Sequence, residues 1–195
     1  MLESHAPADS SIHPAPRSHD ARIPLVTTIA GAAAWQLAGP GYIEGMAKGV
    51  IKRCGQCGQK NRVPMNKLGA VHKGNCGRCG TALPAFDRPI EVTDAGVLRT
   101  ILSSAEMPVL VDFWAAWCPP CRMVAPELVK VARERAGDWL VVKANTERDP
   151  RVGSEHQISS IPLMAVFVDG REVGRSAGAR PAAAISSFVR QSLAS

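Results

Sequence analysis

Residues 109–126 read VLVDFWAAWCPPCRMVAP, an apolar run that changes into a helix-like pattern at a Cys-x-x-Cys pair. The run at 109–114 is short, continuous and rich in β-branched and aromatic side chains, which predicts a buried strand. The residues that follow predict a helix from Cys118 to about Ala136. The pair Cys118 and Cys121 therefore falls where a strand gives way to a helix.

Strand-like and helix-like segments alternate through the rest of residues 87–195. An Asp169-Gly170 turn between two runs favours a hairpin near the C terminus. The resulting order β-α-β-α-β-α-β-β-α predicts an α/β fold with a mixed central sheet and helices on both faces. The predicted strands are 87–93, 109–114, 139–144, 163–168 and 171–176, and the predicted helices are 94–103, 118–136, 149–156 and 181–193.

The position of Cys118 favours an attacking thiolate. Its sulfur can occupy the N-cap region of the helix, where the positive end of the helix dipole stabilises a negative charge. A free thiol with a pKa of about 8.5 is only slightly ionised at neutral pH, so this stabilisation raises the reactive fraction. Cys121 lies one helical turn further on and can resolve a mixed disulfide, which leaves a Cys118–Cys121 disulfide. An inert pair, or half of a third metal site, is the alternative.

Asp112 is a candidate proton carrier for Cys121. A carboxylate on a buried apolar strand is costly unless it is protonated or hydrogen-bonded, so its pKa is expected to rise. A raised pKa would let this group exchange a proton with the Cys121 thiol. A polar core residue that is satisfied by hydrogen bonds and has no function is the alternative.

Several segments of the chain resemble the thioredoxin family. Residues 111–126 resemble the active-site strand and helix of thioredoxin, and Ser160-Ile161-Pro162 followed by an apolar strand resembles its cis-proline loop. A four-cysteine segment ahead of them resembles the zinc-containing thioredoxin 2 type. The similarity covers about residues 48–195 and implies a thioredoxin fold preceded by a small zinc ribbon.

The resemblance implies a protein disulfide reductase that is recharged by a flavoprotein thioredoxin reductase. It assigns a proton-transfer role to Asp112 and a supporting role to Lys143 on the next strand. It also implies a cis peptide bond before Pro162. An apolar surface around the reactive sulfur would receive disulfide-containing protein substrates, and its predicted residues are Trp117, Ile161, Pro162, Gly178 and Ala179.

Pro119 departs from the family pattern, which usually has Gly-Pro between the two cysteines. Proline fits the first turn of a helix, where its missing N–H would have no intrahelical partner, so the fold is expected to survive. The stiffer turn is expected to change the redox potential of the cysteine pair.

Four further cysteines match the spacing C-x2-C-x18-C-x2-C, which is typical of a zinc site. Glycines inside and just after each pair fit the tight turns that bring the backbone close to a metal. Four thiolates leave no open coordination position, so the zinc would be structural and would supply folding free energy to a segment with few large apolar side chains. Two disulfides are the alternative. The predicted zinc ligands are Cys54, Cys57, Cys76 and Cys79.

The excess positive charge of the chain lies in residues 46–86. This segment has eight Lys or Arg residues and no Asp or Glu, whereas residues 87–195 balance thirteen of each sign. The basic side chains can offset the negative charge of four thiolates around a dication. This interpretation is favoured over nucleic-acid binding or the recruitment of acidic proteins.

Residues 1–45 lack the pattern of a secretory signal and are expected to form a disordered leader. An upstream extension added by a wrongly chosen start codon before Met46 is a second interpretation. The apolar segment 23–39 is at the short limit for a bilayer span and contains polar residues, so a membrane anchor is the third. The predicted domains are the leader 1–45, a zinc ribbon at 46–86 and a thioredoxin domain at 87–195.

These features together predict a cytoplasmic, monomeric protein disulfide reductase that serves cell redox homeostasis, without a nucleic-acid partner or membrane attachment. Because no dinucleotide-binding glycine motif is present, electrons are expected from a protein partner or a small thiol. Two alternatives stay open. One is a zinc-ribbon binding module with an accessory redox-sensor domain, and the other is an exported, membrane-tethered thiol reductase.

Overall fold

In the described part of the chain, residues 109–126 span one strand of a mixed sheet and the start of one of four α-helices. The computed structural model describes residues 49–195, apart from the side chains of residues 71–73, and the predicted leader lies outside these residues. None of the helices in the described residues is both long enough and apolar enough to cross a bilayer. The strands are β1 (Val50–Arg53), β2 (Lys60–Val63), β3 (Ile90–Val92), β4 (Val109–Trp114), β5 (Leu140–Asn145), β6 (Leu163–Val168) and β7 (Arg171–Ala177). The helices are α1 (Ala95–Ser104), α2 (Pro119–Glu134), α3 (Pro150–Glu155) and α4 (Ala182–Leu193), and a 3₁₀ helix spans Met65–Lys73.

The five strands of the main sheet lie in the order β3-β5-β4-β6-β7. β3 and β4 both run parallel to β5, and β6 and β7 complete the sheet in antiparallel orientation. This arrangement confirms the predicted thioredoxin fold with helices on both faces. The first strand of this sheet is shorter than predicted because it begins only after Pro89, which has no N–H for a strand ladder. Helix α2 ends at Glu134, two residues earlier than predicted.

The central strand β4 is buried on both faces because it has a strand on each side and helices on each face. Alternate residues of a strand point to opposite faces. Val111 belongs to the cluster that contains Leu98 of α1, whereas Leu110 belongs to the cluster that contains Leu128 of α2 and Ile185 of α4. The strand is thus packed on both faces, and its C-terminal end leads to the start of α2.

The cysteine-rich segment, residues 49–86, packs on α1 through the 3₁₀ helix. The sequence pattern did not predict this helix. Gly69 permits the contact because a Cβ at this position would lie 2.7 Å from the Cα of Ala105. Leu68 is buried and belongs to the same hydrophobic cluster as the α1 side of the main sheet. The predicted boundary between residues 86 and 87 therefore separates two segments whose buried residues form one continuous core.

Candidate active site and candidate metal centre

Cys118 and Cys121 form a disulfide at the start of α2, with a Cα–Cα distance of 5.3 Å. Cys118 is the N-cap residue, and its Sγ accepts a hydrogen bond from the Cys121 N–H at 3.2 Å. The sulfur therefore lies at the positive end of the helix. Both cysteines are buried, whereas the neighbouring Trp117 is 66% exposed. A partner molecule thus meets the indole before it reaches the sulfurs.

Pro119 and Pro120 occupy the first two positions of α2. Neither has an N–H, so the first main-chain donor of this helix is the N–H of Cys121. The next N–H, that of Arg122, is directed to the carbonyl of Cys118 at 3.4 Å. The two prolines therefore limit how many helix N–H groups can stabilise charge on the N-cap sulfur.

A loop with a cis-proline faces this sulfur. The Ile161–Pro162 peptide bond is cis, and the Ile161 carbonyl oxygen lies 3.8 Å from Cys118 Sγ. The Pro162 carbonyl accepts a hydrogen bond of 2.9 Å from the Gly178 N–H. Gly178 has a φ of +87°, and a Cβ added to it would meet no atom within 4 Å. Gly178 and the exposed Ala179, which follow β7, therefore present main chain rather than bulky side chains next to the cis-proline loop.

Met123, two residues after Cys121, is a further exposed apolar residue, and the sequence reasoning missed it. Its side chain projects from the start of α2 and the residue is 69% exposed. The buried positions of this turn are Cys121 and Val124. An apolar residue that falls between the buried positions of a helical pattern is the signal that would have identified it.

Asp112 is completely buried on β4, where it is in register with Lys143 of β5. Neither of its carboxylate oxygens has a hydrogen-bond partner among the described residues. Burial raises the pKa of Asp112 to about 7, with Lys143 opposing the shift and Glu91 adding to it. A carboxyl group with this pKa can take up and release a proton near neutral pH.

Lys143 forms its ion pair with Glu91 of β3, which the sequence reasoning also missed. The Lys143 Nζ lies 3.3 Å from Glu91 Oε2 and 3.8 Å from the centroid of the Trp114 ring. In the sequence, the only signal for Glu91 is an acidic residue between two apolar strand residues, Ile90 and Val92. Strand pairing across the sheet was needed to bring it to the lysine.

The four cysteines of the N-terminal segment converge on one point. Their sulfur atoms all lie within 4.8 Å of one another. Cys54 Sγ is 3.6 Å from Cys79 Sγ, and Cys57 Sγ is 3.7 Å from Cys76 Sγ. A tetrahedral ion with metal–sulfur bonds of about 2.3 Å requires sulfur separations of about 3.8 Å. The four residues are free cysteines, not disulfides, and their arrangement could hold a metal ion.

Two equivalent turns carry these cysteines. In the first, the Gly58 N–H donates to the Cys54 carbonyl at 3.0 Å, and in the second, the Gly80 N–H donates to the Cys76 carbonyl at 2.9 Å. Both glycines have positive φ, +70° and +72°. The glycines just after each pair therefore meet the conformational need that the sequence suggested, whereas the glycines inside the pairs do not have positive φ.

Among the four clustered cysteines, Cys76 has the pKa that its surroundings lower most clearly. The main-chain N–H groups of Cys79 and Arg78, in that order, lower the pKa of Cys76 to about 6. The Asn61 amide also donates to this sulfur, at 3.6 Å, while its carbonyl oxygen accepts the Gly77 N–H at 3.0 Å. Donors around a sulfur favour the thiolate, which is the form that binds metals.

One of the basic residues in this segment has a structural position. Lys52 is buried, its Nζ donates to the Ala85 carbonyl, and it lies 4.3 Å from the centroid of the Phe86 ring. Burial lowers the pKa of Lys52, and Asp87 opposes the shift. This lysine fastens β1 to the residues that lead into the main sheet. The exposed basic residues among the described side chains of residues 49–86 are Arg53, Lys60, Arg62, Lys67 and Arg78.

Known proteins match most of the described chain. The thioredoxin family model matches residues 88–191. Thioredoxin C-3 of Corynebacterium nephridii is 38% identical over 141 residues, which is 72% of this chain and 93% of that protein. This alignment is longer than the segment from residue 87 to the C terminus, so the similarity extends into the cysteine-rich segment.

Two further proteins are similar over about half of the chain. The bifunctional thioredoxin reductase/thioredoxin of Mycobacterium leprae is 47% identical over 96 residues, 49% of this chain and 21% of that protein. Among solved structures, a mutant thioredoxin from Halobacterium salinarum NRC-1 matches with a TM-score of 0.50 and 26% identity, over 55% of this chain and 92% of that one. The fold, the cysteine pair at a helix N terminus and these similarities all indicate the same family. The chain belongs to the thioredoxin family of protein disulfide oxidoreductases.

Proposed function

We propose that this protein is a reductase that reduces disulfide bonds in other proteins through Cys118 and Cys121. The observation that carries the proposal is the position of Cys118 Sγ, which caps α2 and faces the Ile161 carbonyl of the cis-proline loop. The helix stabilises a thiolate at this atom. The main-chain groups of the loop offer an extended substrate strand something to pair with.

The first step is attack by the Cys118 thiolate on one sulfur of a substrate disulfide. A new Cys118–substrate S–S bond forms, the substrate S–S bond breaks, and the departing substrate sulfur leaves as a thiolate that takes up a proton. The exposed Trp117, which directly precedes Cys118, provides an apolar contact next to the reacting atoms.

The second step releases the reduced substrate. The Cys121 thiol gives its proton to the Asp112 carboxylate, and its sulfur attacks Cys118 Sγ. The mixed disulfide breaks, the second substrate sulfur leaves as a thiolate, and the Cys118–Cys121 disulfide forms. Two electrons have then passed from the dithiol to the substrate.

A flavoprotein reductase would return the pair to the dithiol state. The support for this class of partner is the name of the Mycobacterium leprae relative, which combines a thioredoxin reductase and a thioredoxin in one chain. Reduction of the oxidised protein by NADPH and a bacterial thioredoxin reductase, followed by a thiol assay, tests it.

The four clustered cysteines would hold one structural zinc ion. The sulfur separations fit a tetrahedral thiolate set, and two turns of the same geometry present the ligands. When bound, the ion would cross-link the two turns. It would take no part in the reaction, because four protein ligands leave no open coordination position.

Insulin reduction tests the reductase activity. We expect Cys118→Ser to abolish turnover, and Cys121→Ser to accumulate a covalent complex with substrate because the resolving thiol is missing. Ser103→Ala changes an exposed atom on α1 and serves as the control with normal turnover. Normal turnover by Cys118→Ser, or an inactive wild-type protein, would contradict the proposal.

We also propose a cytoplasmic monomer. The support for the compartment is the tight spacing of four free cysteines, which suits a reducing environment and a metal site better than a disulfide framework. Cell fractionation and light scattering of the full chain test these two points. Recovery of the protein in the membrane fraction would favour the exported, tethered reductase instead.

The binding-module alternative has one observation in its favour. Among the side chains that the structure describes in residues 49–86, five basic ones are exposed and none is acidic. Such a surface can attract an acidic protein or nucleic acid. If this alternative holds, Cys118→Ser retains partner binding while the wild type shows no turnover of insulin.

A further inference from the structure

Three ionisable side chains form a row across the main sheet. Glu91 is in register with Lys143, and Lys143 is in register with Asp112. Registered residues of parallel strands point to the same face of a sheet. Leu110 has the same orientation as Asp112 and belongs to the hydrophobic cluster of Val124 on α2. The row therefore lies on the face covered by the helix that begins at the cysteine pair.

The row runs from the edge of the sheet to its centre. β3 is an edge strand and β4 is the central one. The exposed fraction of the side chain falls from 31% at Glu91 to 14% at Lys143, and Asp112 has no exposed surface. Two acidic groups of unequal burial thus flank one ammonium group.

The ammonium group pairs with the outer acid. Lys143 Nζ is 3.3 Å from Glu91 Oε2, and the Trp114 ring, 3.8 Å away, supports it from the side. Both oxygens of Asp112 lack a hydrogen-bond partner among the described residues. An ammonium paired directly with Asp112 would hold that carboxyl ionised and make it a weak base.

We propose that Glu91 is a positioning residue for proton transfer at Asp112, because it holds the Lys143 ammonium at the sheet edge and leaves the central carboxyl able to take up a proton. This inference rests on the proposed function, in which Asp112 receives the proton of Cys121. Glu91 touches neither cysteine in this role and acts through the lysine.

The charges around Asp112 agree with this role. Burial raises the pKa of Asp112 to about 7, Lys143 opposes the shift and Glu91 adds to it. On the other side of β4, the registered residue of β6 is Met164, which carries no charge. Helix α2 contributes the Cys121 thiol once the disulfide is reduced. Burial also raises the pKa of Glu91, and Lys143 opposes that shift.

NMR titration of the Asp112 carboxyl carbon in the full-length oxidised protein tests the inference directly. In Glu91→Gln, we expect Lys143 to turn to Asp112 and the titration midpoint to fall by roughly one pH unit or more. Glu172→Gln is the matched control. Glu172 lies on β7 at the opposite edge of the sheet, has a side-chain exposure of 28% and pairs with Arg175, so its loss leaves the midpoint unchanged.

A double-mutant cycle identifies the route of the effect. Lys143→Met is expected to raise the Asp112 midpoint, and in this background Glu91→Gln is expected to lower it less than in the wild type. Glu91→Asp keeps the charge on a shorter side chain and is expected to give an intermediate midpoint. Equal falls with and without Lys143, or no fall in Glu91→Gln, would overturn the inference.

Single-turnover kinetics links the titration to the reaction. We expect Glu91→Gln to slow the resolving step several-fold at neutral pH, to shift its pH midpoint in the same direction as the Asp112 titration, and to leave mixed-disulfide formation unchanged. A wild-type protein that does not reduce insulin would contradict the proposed function. An active wild type whose Glu91→Gln variant keeps the wild-type pH profile would contradict only the role of Glu91.

Discussion

At the scale of single residues, the chemistry of the site depends on which main-chain and side-chain groups reach one sulfur and one carboxyl. Cys118 Sγ accepts the Cys121 N–H, and the two prolines between them supply no N–H of their own. These features could be predicted from the sequence because they are local: a strand, a Cys-x-x-Cys pair and a helix follow directly in the chain. The partner of Lys143 could not be predicted, because Glu91 lies 52 residues away and reaches it only through strand pairing.

The two prolines are expected to act differently on the reactive thiol. An N-cap side chain accepts hydrogen bonds from the second or third residue of its helix, not from the first. We therefore expect Pro120→Ala, which restores the second N–H, to lower the pH midpoint of Cys118 alkylation by iodoacetamide. Pro119→Ala restores only the first N–H and serves as the matched control with a smaller change. Equal shifts in the two variants would contradict this explanation.

The buried carboxyl is expected to make stability depend on pH. Asp112 keeps its proton up to about pH 7 in the folded protein, whereas an unfolded aspartate loses it near pH 4. The unfolded state therefore binds fewer protons between these values, and the free energy of unfolding falls as the pH rises through this window.

Replacement of Asp112 by asparagine removes this dependence. At pH 8 we expect Asp112→Asn to be more stable than the wild type by about 4 kcal/mol, and at pH 4 by much less. Urea unfolding of the oxidised protein at the two pH values measures the difference, with the exposed Asp138→Asn as the control. A difference in stability between Asp112→Asn and the wild type that is the same at pH 4 and pH 8 would rule out the raised pKa.

At the scale of elements, the contact between the 3₁₀ helix and α1 joins the cysteine-rich segment to the catalytic sheet. The main-sheet elements could be predicted from apolar runs and helical spacing, and their order was correct. The 3₁₀ helix could not, because its buried residues Met65 and Leu68 are too few to show a period and are followed by Gly69. The sequence predicted that metal binding would supply folding free energy to this segment, and the structure adds that its buried residues are continuous with the core of the sheet.

Gly69→Ala tests how closely these two elements pack. A Cβ at Gly69 would lie 2.7 Å from Ala105 Cα, so either the 3₁₀ helix or α1 must move. We expect a loss of about 1–3 kcal/mol in the free energy of unfolding. Gly77→Ala is the control, because the nearest atom to its added Cβ is 3.9 Å away. Chemical denaturation compares the two variants, and similar stabilities would show that the contact is looser than described.

At the scale of the whole molecule, the four-cysteine segment and the redox module share one core. The proposed zinc ion should therefore stabilise more than the turns that hold it. Elemental analysis of the wild type is expected to find one zinc ion per chain, and its removal by a chelator is expected to lower the unfolding temperature of the whole described unit.

Cys54→Ser and Lys60→Ala separate this effect from the general consequences of substitution. Cys54 is a buried ligand candidate, whereas Lys60 is an exposed residue of the same hairpin. We expect the first variant to lose zinc and thermal stability and the second to keep both. Zinc content and unfolding temperature equal to the wild type in Cys54→Ser would refute a four-cysteine zinc site.

The packing of Leu68 into the common core has a consequence for attempts to divide the chain. Leu68 lies on the N-terminal side of a cut near residue 87, and its hydrophobic cluster includes Leu98 and Ile101 of α1 on the other side. A protease nick near residue 87 would therefore not release two pieces. The fragments would stay together as a non-covalent complex and migrate as one particle until a denaturant parted them.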